Sequence, residues 1–241
     1  MEKVFKESDG IVYNGGAMLY AIGAYFMGFV GLFNQNIFIN IFSSILLAHA
    51  MIIAAYLVHE SGHNLVFKKI RFNTYLGELF SWFCGSSYGT FKDMQFKHFR
   101  HHVDVDDVVW FDYEGFFEKN PVIFKLTKIL EWFYIPAHEF IMHFITMFTS
   151  FIIPERKDQR VRNVIMILIR WSLFIMLSIY FPRVAIFYVF SYIVLLTVLR
   201  FMDSIQHDYP YHSTLFSNEK PARQGNYEWD QEHTYSNPHS Y

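Results

Sequence analysis

Residues 37–63 read IFINIFSSILLAHAMIIAAYLVHESGH and join an apolar run to a short cluster of ionisable side chains. The apolar part, residues 37–58, holds 22 residues and is interrupted only by Asn40, two serines and His49. As a helix it would reach roughly 33 Å, enough to cross a hydrocarbon core of about 30 Å. The sequence His59-Glu60-Ser61-Gly62-His63 follows directly. The stretch therefore predicts a transmembrane helix that carries imidazoles to one face of a membrane.

The composition of the whole chain supports a membrane protein. Its 241 residues are 53% hydrophobic and 20% aromatic, with only 17% charged and a net charge of -2. An ordinary soluble domain carries roughly a quarter of charged residues, so this chain is unusually apolar. Twelve histidines stand against one cysteine, Cys84, which excludes an internal disulfide and a thiolate metal cluster. The near-neutral charge gives no reason to expect nucleic-acid binding.

Three further apolar runs predict the rest of the fold. The first precedes residue 37 across the polar turn Asn34–Asn36, and the other two form a pair broken at Pro182, where a helix does not continue unkinked. The predicted spans are residues 16–33, 37–58, 161–180 and 184–202. We expect an all-α integral membrane fold with four transmembrane helices in two hairpins, interfacial helices, and a metal site at the cytoplasmic face.

Two runs and one arginine are ambiguous. Residues 76–91 and 131–153 hold too many polar groups for simple spans, so interfacial or re-entrant helices are favoured. Arg170 lies inside the third predicted span. Three interpretations are open: its side chain snorkels to the membrane surface, it faces the helix bundle, or it marks where the membrane begins. Lys and Arg concentrate in residues 64–160 and at both ends of the chain, which predicts cytoplasmic N- and C-termini.

The first histidine cluster is His59-Glu60-x-x-His63. Side chains at i and i+4 share one face of a helix, so both imidazoles can bind one metal ion. The same letters match the motif of zinc proteases, in which Glu60 would be the general base. This cluster by itself leaves two enzyme classes open.

The second cluster, His98-Phe99-Arg100-His101-His102, presents three imidazoles on one helical face at i, i+3 and i+4. Together the two clusters offer more nitrogen ligands than one catalytic zinc ion uses, which indicates two metal ions. A zinc protease would leave the second cluster idle. Asp203-Ser-Ile-Gln-His207 follows the fourth span, and the number of crossings brings all three elements to the same side of the membrane.

These residues resemble the membrane-bound fatty acid desaturase and hydroxylase superfamily, whose histidine boxes surround a di-iron centre. His59 and His63 match the first box, His98, His101 and His102 match the second, and Asp203-x-x-x-His207 is similar to the Asn-x-x-x-His of stearoyl-type desaturases. The resemblance implies two iron ions (Fe2+), with these six histidines as ligands and Asp203 in the outer shell. It also implies O2, a fatty-acyl or other membrane-lipid substrate, and an electron donor such as ferredoxin, rubredoxin or cytochrome b5.

The third histidine box of this superfamily is missing after His207. Residues 229–237 are similar to the stretch that precedes that box in relatives, so the chain is expected to be truncated at its C-terminus. It is expected to form one desaturase-like domain over residues 1–241, with a polar cytoplasmic tail over residues 203–241. His212 and His233 are the candidate substitute ligands, with His239 as a further possibility. A non-catalytic relative that binds at most one metal is therefore a third hypothesis.

The remaining polar residues near the boxes receive supporting roles. Metal-bound imidazoles hand their other N–H to an acceptor, and nearby acids are suited to that task. These acids are Glu60, Asp104, Asp106, Asp107 and Asp208. His49 either lines a substrate route or is held by a partner within the bundle. His138 and His143 lie about 140° apart around a helix and are assigned no ligand role.

Overall fold

The computed structural model describes the backbone of residues 4–7, 9–104, 106–206 and 211–214, and the side chains of residues 4–7, 9–100 and 108–203. A short π-helical segment, Ile11–Gly15, leads into the first α-helix, and a 3-10 segment, Pro154–Gln159, precedes the eighth. The helices are α1 Gly16–Gly31, α2 Ile37–Gly62, α3 Ile70–Phe83, α4 Phe91–Asp104, α5 Tyr113–Lys119, α6 Pro121–Trp132, α7 Ala137–Ile152, α8 Arg160–Tyr180 and α9 Pro182–Gln206. The strands are β1 Asp106–Val109 and β2 Tyr211–Thr214.

The chain forms two compact units. The first comprises Met1–Phe91 and Ile165–Leu199, and the second comprises Lys92–Val164 and Arg200–Tyr241. The first unit contains the predicted hairpin of α1 and α2, joined through Asn34–Asn36. Asn36 begins α2 because its side-chain oxygen accepts a hydrogen bond of 2.9 Å from the backbone N–H of Phe38, which satisfies one donor of the first turn.

Small residues allow α1 and α2 to approach closely. The buried positions of α1 are Ala21, Ala24 and Gly28, a spacing that leaves a shallow groove along one side of the helix. A Cβ atom added at Gly28 would lie 2.9 Å from the backbone nitrogen of Leu47 on α2. The closeness of the two helices therefore depends on the absence of a side chain at this glycine.

A buried polar cluster fastens the two hairpins of the first unit. Asn40, fully buried in the first turn of α2, donates to the carbonyls of Gly31 and Leu32 at the end of α1 and of Asn34 in the turn that follows. Its side-chain oxygen accepts a hydrogen bond from Arg183 in the first turn of α9. Because carbonyls at a helix C-terminus have no partner in a following helical turn, Asn40 supplies a donor to each of these three, in addition to the backbone N–H of Asn34 that also bonds Gly31.

Among the described residues, three helical segments are long and apolar enough to cross a membrane: Ile37–Gly62, Pro154–Tyr180 and Pro182–Asp203. They correspond to the second, third and fourth predicted spans, and the break before Pro182 is confirmed. The segment that corresponds to the first predicted span, α1, has 16 residues, or about 24 Å of helix. The count of four spans therefore stays a prediction.

Apolar side chains from several elements make the core of the first unit, and Arg170 packs at its edge. The fully buried members include Leu47, Met51, Phe80 and Leu195. The Arg170 guanidinium lies 5.0 Å from the ring centroid of Trp82 and donates to the carbonyl of that residue. Of the interpretations of Arg170, the one in which the side chain turns toward the protein is therefore supported.

The second unit contains α4 to α7 and is organised around a buried arginine. Arg156 is 0% exposed, its guanidinium lies 4.5 Å from the ring centroid of Trp110, and it donates to Thr149. Asp93, in the first turn of α4, lies 3.8 Å from the same guanidinium and accepts a hydrogen bond of 2.7 Å from the side-chain amide of Gln159. The carboxylate both pairs with the buried cation and suits the positive end of the α4 dipole.

The expectation of an all-α fold is wrong in one detail, because β1 and β2 pair in parallel. Val108 and Val109 of β1 are buried, and β-branched side chains favour extended backbone. A strand of four residues is too short to show an alternating pattern in the sequence. The second strand also lies in the segment expected to be a polar tail, where α9 itself continues to Gln206.

Candidate metal centre

The first histidine box lies at the end of α2, the longest α-helix in the described part of the chain. The 26 residues of α2 extend for about 39 Å, roughly 9 Å more than a hydrocarbon core. Because the polar turn before Ile37 marks one end of the span, the excess length lies at the other end, where His59 and Glu60 occur. The helix therefore provides an apolar shaft and a polar end that carries the box.

The two histidines of this box face each other. The ring centroids of His59 and His63 are 4.9 Å apart, and a nitrogen of one ring lies within 4.8 Å of a nitrogen of the other. Both side chains are half-buried. Two imidazole nitrogens this close could hold one metal ion between them. The prediction that the i, i+4 spacing brings these two imidazoles together is confirmed.

Glu60 lies beside the pair. One of its carboxylate oxygens is 3.5 Å from Nδ1 of His59, close enough for an electrostatic contact. Outer-shell acids accept the second N–H of a metal-bound imidazole, and Glu60 lies where a small approach would form that bond. The position of Glu60 is therefore consistent with the expected role as an outer-shell acid for His59.

A helix-ending motif sets the position of His63. Asn64 has a φ of 58°, and its backbone N–H donates to the carbonyl of Ser61, while that of Leu65 donates to the carbonyl of Glu60. These two bonds form a Schellman motif, which ends a helix with one residue in the left-handed conformation. Asparagine tolerates this conformation better than most residues other than glycine. His63 is thereby held as the C-cap residue, directly after the last helical residue, Gly62.

The segment that follows the first box is tied down by the N-terminal part of the chain. The backbone of Lys6 donates to Val66, and Lys68 donates to Val4, at 3.1 Å in both cases. The side chain of fully buried Asn73 makes two hydrogen bonds to the backbone of Phe67. The exit from the first box is therefore ordered by backbone pairing as well as by the helix end.

The second box lies on α4 in the second unit. Positions 98, 101 and 102 all fall within Phe91–Asp104, so the predicted helical spacing is confirmed. His98 is half-buried. The side chains of His101 and His102 lie outside the described residues. At the other end of α4, the contacts of Asp93 with Arg156 and Gln159 tie the first turn of this helix to the segment Pro154–Gln159.

The other predicted site residues are only partly covered. Asp203 is exposed near the end of α9, whereas His207 and His233 lie outside the described residues. Only the backbone of His212 is described, in β2, where its register partner in β1 is Asp107. The strand pair therefore aligns the backbone of a candidate substitute ligand with that of an expected outer-shell acid.

Sequence reasoning missed a polar cluster on α7. Nδ1 of His138 lies 3.5 Å from Glu139, and the His138 ring packs edge-on against Tyr113. Burial raises the pKa of Glu139, but the hydrogen bond to His138 and the nearby His143 and Lys97 outweigh it and lower the pKa to about 2. The adjacent residues His138 and Glu139 in the sequence were the signal that could have indicated this cluster.

His49 is partnered, but on an exposed face of α2. Its Nδ1 and the hydroxyl of Tyr20 on α1 form a hydrogen bond of 2.6 Å. Of the two alternatives for His49, a histidine held by a partner is therefore supported, although it lies on the surface of the unit instead of inside it.

The donors of the first box fit iron. Two neutral imidazoles with a neighbouring carboxylate form a hard to intermediate ligand set without thiolate, which suits Fe2+ as well as Zn2+. A pair of imidazoles leaves further coordination positions for ligands from other segments and for substrates. The local geometry is thus compatible with iron and does not by itself distinguish it from zinc.

The comparisons with known proteins identify the family of the chain. The sequence profile of the family described as fatty acid desaturase matches residues 36–240, which include both histidine boxes and all predicted ligands. No curated protein and no solved structure matches the chain significantly. Since the profile covers most of the sequence, the chain belongs to the fatty acid desaturase family.

Proposed function

We propose that this protein is an integral membrane oxidoreductase that uses O2 and two iron ions to desaturate or hydroxylate a fatty-acyl or other lipid substrate. The facing pair His59 and His63 carries the proposal, since it gives a metal-binding geometry at the end of an apolar helix. Family membership supports oxidation of lipids, and three apolar helices support residence in a membrane.

The proposed iron ligands come from three segments of the chain: His59, His63, His98, His101, His102 and His207. Asp203 is proposed for the outer shell, and His212 and His233 are proposed to complete the coordination. Iron bound there would supply the reduction of O2 and the oxidation of an unactivated C–H bond. Imidazole suits this chemistry because it resists oxidation better than thiolate.

The side chains of the first box would do the orienting. Glu60, 3.5 Å from His59 Nδ1, holds that ring and leaves its other nitrogen for the metal. The backbone bonds around Asn64 fix the last helical turn and hence the position of His63. Rigid ligands matter because the position of the attacked carbon depends on a fixed distance between substrate and metal.

The proposed topology places both termini and the histidine boxes in the cytoplasm. Electrons would come from a donor such as ferredoxin, rubredoxin or cytochrome b5, and the acyl chain would enter from the bilayer. The distribution of Lys and Arg along the sequence supports this orientation.

The test is product formation by the purified chain. The protein is reconstituted in liposomes with a reductase system and O2, and lipid products are identified by mass spectrometry. His59→Ala and His101→Ala should each abolish product, and His49→Ala, which changes a histidine held by Tyr20, should retain it. Peptide cleavage that is lost in Glu60→Gln and retained in His101→Ala would instead support a zinc protease. If the native chain, with all of its histidines in place, oxidises no lipid, the result would support the hypothesis of a non-catalytic relative.

A further inference from the structure

Helix α6 exposes an apolar stripe. Within α6, every residue of which is described, Thr127 alone is buried, and the helix packs against α5 and α7. Val122, Leu126 and Ile129 are exposed, and their spacing of four and three residues places them on one side of the helix, turned away from Thr127. Exposed apolar stripes of this kind mark surfaces that contact a membrane, a ligand or another protein.

Three consecutive aromatic residues continue this surface at the end of α6. Trp132, Phe133 and Tyr134 are 81%, 67% and 82% exposed. Tyr134 has a φ of 59°, so the chain turns sharply at this point and begins a new helix at Ala137. Trp and Tyr are enriched at the boundary between lipid and water, where the ring contacts acyl chains and the polar atom meets the headgroups. We call Val122, Leu126, Ile129 and residues 132–134 the α6 face.

Two lysines border the α6 face. Lys125 and Lys128 line a shallow depression together with Ile129 and Trp132. Nζ of Lys128 lies 4.5 Å from the ring centroid of Phe124, which holds the ammonium group near the helix. The ammonium groups and the indole thus surround one concave spot beside the apolar stripe.

The acid of α6 itself is already engaged. Glu131, the single acid in the sequence of α6, pairs with Arg200 and accepts a hydrogen bond of 3.0 Å from the backbone of His138. The side of α6 with the two lysines is therefore positively charged. An apolar stripe, an aromatic end and bordering lysines are the features of a helix that lies in the plane of a membrane surface.

We propose that the α6 face lies in the headgroup region of the bilayer that the protein spans, with Lys125 and Lys128 binding the phosphates of anionic phospholipids. Charge complementarity selects this occupant, since the surface is cationic and the cytoplasmic leaflet is anionic. This proposal rests on the proposed cytoplasmic topology and does not depend on the proposed oxidation chemistry. It makes α6 a lipid-selective contact of the second unit.

Quenching of Trp132 fluorescence by brominated lipid tests this proposal. The full chain is reconstituted in liposomes that contain both phosphatidylglycerol and phosphatidylcholine. In one preparation the phosphatidylglycerol, and in the other an equal mole fraction of phosphatidylcholine, carries acyl chains brominated just below the carbonyl. The difference between the native chain and Trp132→Phe isolates the Trp132 signal. We expect strong quenching of this signal, several-fold stronger by brominated phosphatidylglycerol, because each lysine enriches anionic lipid about fivefold.

Charge variants test the role of the lysines. Lys125→Glu/Lys128→Glu, and the milder pair of glutamine substitutions, should remove the preference for phosphatidylglycerol. Lys6→Glu/Lys157→Glu makes the same change at two exposed lysines outside α6 and should retain it. The proposal is overturned if Trp132 is not quenched by either lipid, as expected of a face that docks a protein. It is also overturned if quenching by the two lipids is equal in the native chain or unchanged in both Lys125/Lys128 variants.

Discussion

Asn40→Ala removes the side chain that fastens the two hairpins of the first unit. The Asn40 amide donates to Gly31, Leu32 and Asn34 at 2.9–3.2 Å and accepts from Arg183. Losing the bonds of the two amide hydrogens costs about 1 kcal/mol each, and losing the charge-assisted bond costs about 1.5 kcal/mol. We therefore expect the free energy of unfolding to fall by about 3.5 kcal/mol, because the three carbonyls and the guanidinium each lose a hydrogen bond, while Arg183 keeps its bond to the carbonyl of Gln35.

The assay is reversible unfolding of the purified protein in mixed micelles, followed by circular dichroism. Asn36→Ala is the matched control, since it removes a single capping bond near the same turn and should cost about 1 kcal/mol. Iron bound per folded chain should not change in Asn40→Ala, because the 19 residues from Asn40 to His59 extend about 28 Å along α2. A loss in Asn40→Ala no larger than in Asn36→Ala would refute the reasoning.

Three further predictions concern the first box, the α1–α2 contact and a surface ion pair. Asn64→Gly should stabilise the fold slightly, because glycine adopts a φ of 58° freely and removes a buried side-chain oxygen with no partner among the described residues. Asn64→Ala should instead cost about 1 kcal/mol, because alanine is strained at this φ. Equal stability of these two variants would contradict the helix-end motif. Gly28→Ala should cost about 1–3 kcal/mol in the same assay, since its Cβ would meet the backbone of Leu47, and Gly23→Ala on the same helix, with nothing within 4 Å, should be neutral or stabilising. Burial raises the pKa of Glu131, but hydrogen bonds from Arg200 and the His138 backbone outweigh it and hold the pKa below its ordinary value of 4.5. The stabilisation from this carboxylate is thus complete above about pH 4.5 and is lost as the pH falls through the lowered value, so the thermal midpoints of the native chain and Glu131→Gln should differ slightly at pH 7 and converge in acid.

The helices of the first unit follow from local chemistry in the sequence. The long apolar runs and the punctuation at Asn34–Asn36 and Pro182 suffice to place α2, α8 and α9. The run over residues 131–153 instead divides, because the chain turns at Tyr134 in a left-handed conformation that is not visible in hydropathy. The pairing of β1 with β2 joins residues about a hundred positions apart, and no local pattern specifies such a partner.

The spacing of histidines gives the local geometry of the site but not its environment. The i, i+4 pattern correctly predicts that His59 and His63 face each other on α2. The roles of Asn40 and Arg170 could not be predicted, since both depend on which segment folds against them. A polar residue in an apolar run signals a partner, but only the tertiary structure identifies it as Arg183 or Trp82.

The central claim is that the histidine boxes bind iron, and metal content is its most direct test. The chain is purified without oxygen, and iron and zinc per protein are measured together with the Mössbauer spectrum. We predict close to two irons per chain with the spectrum of a paired site, a large loss of iron in His59→Ala and in His98→Ala, and full retention in His49→Ala. Stoichiometric zinc without iron in an active sample, or iron content unaffected by both box substitutions, would contradict the account.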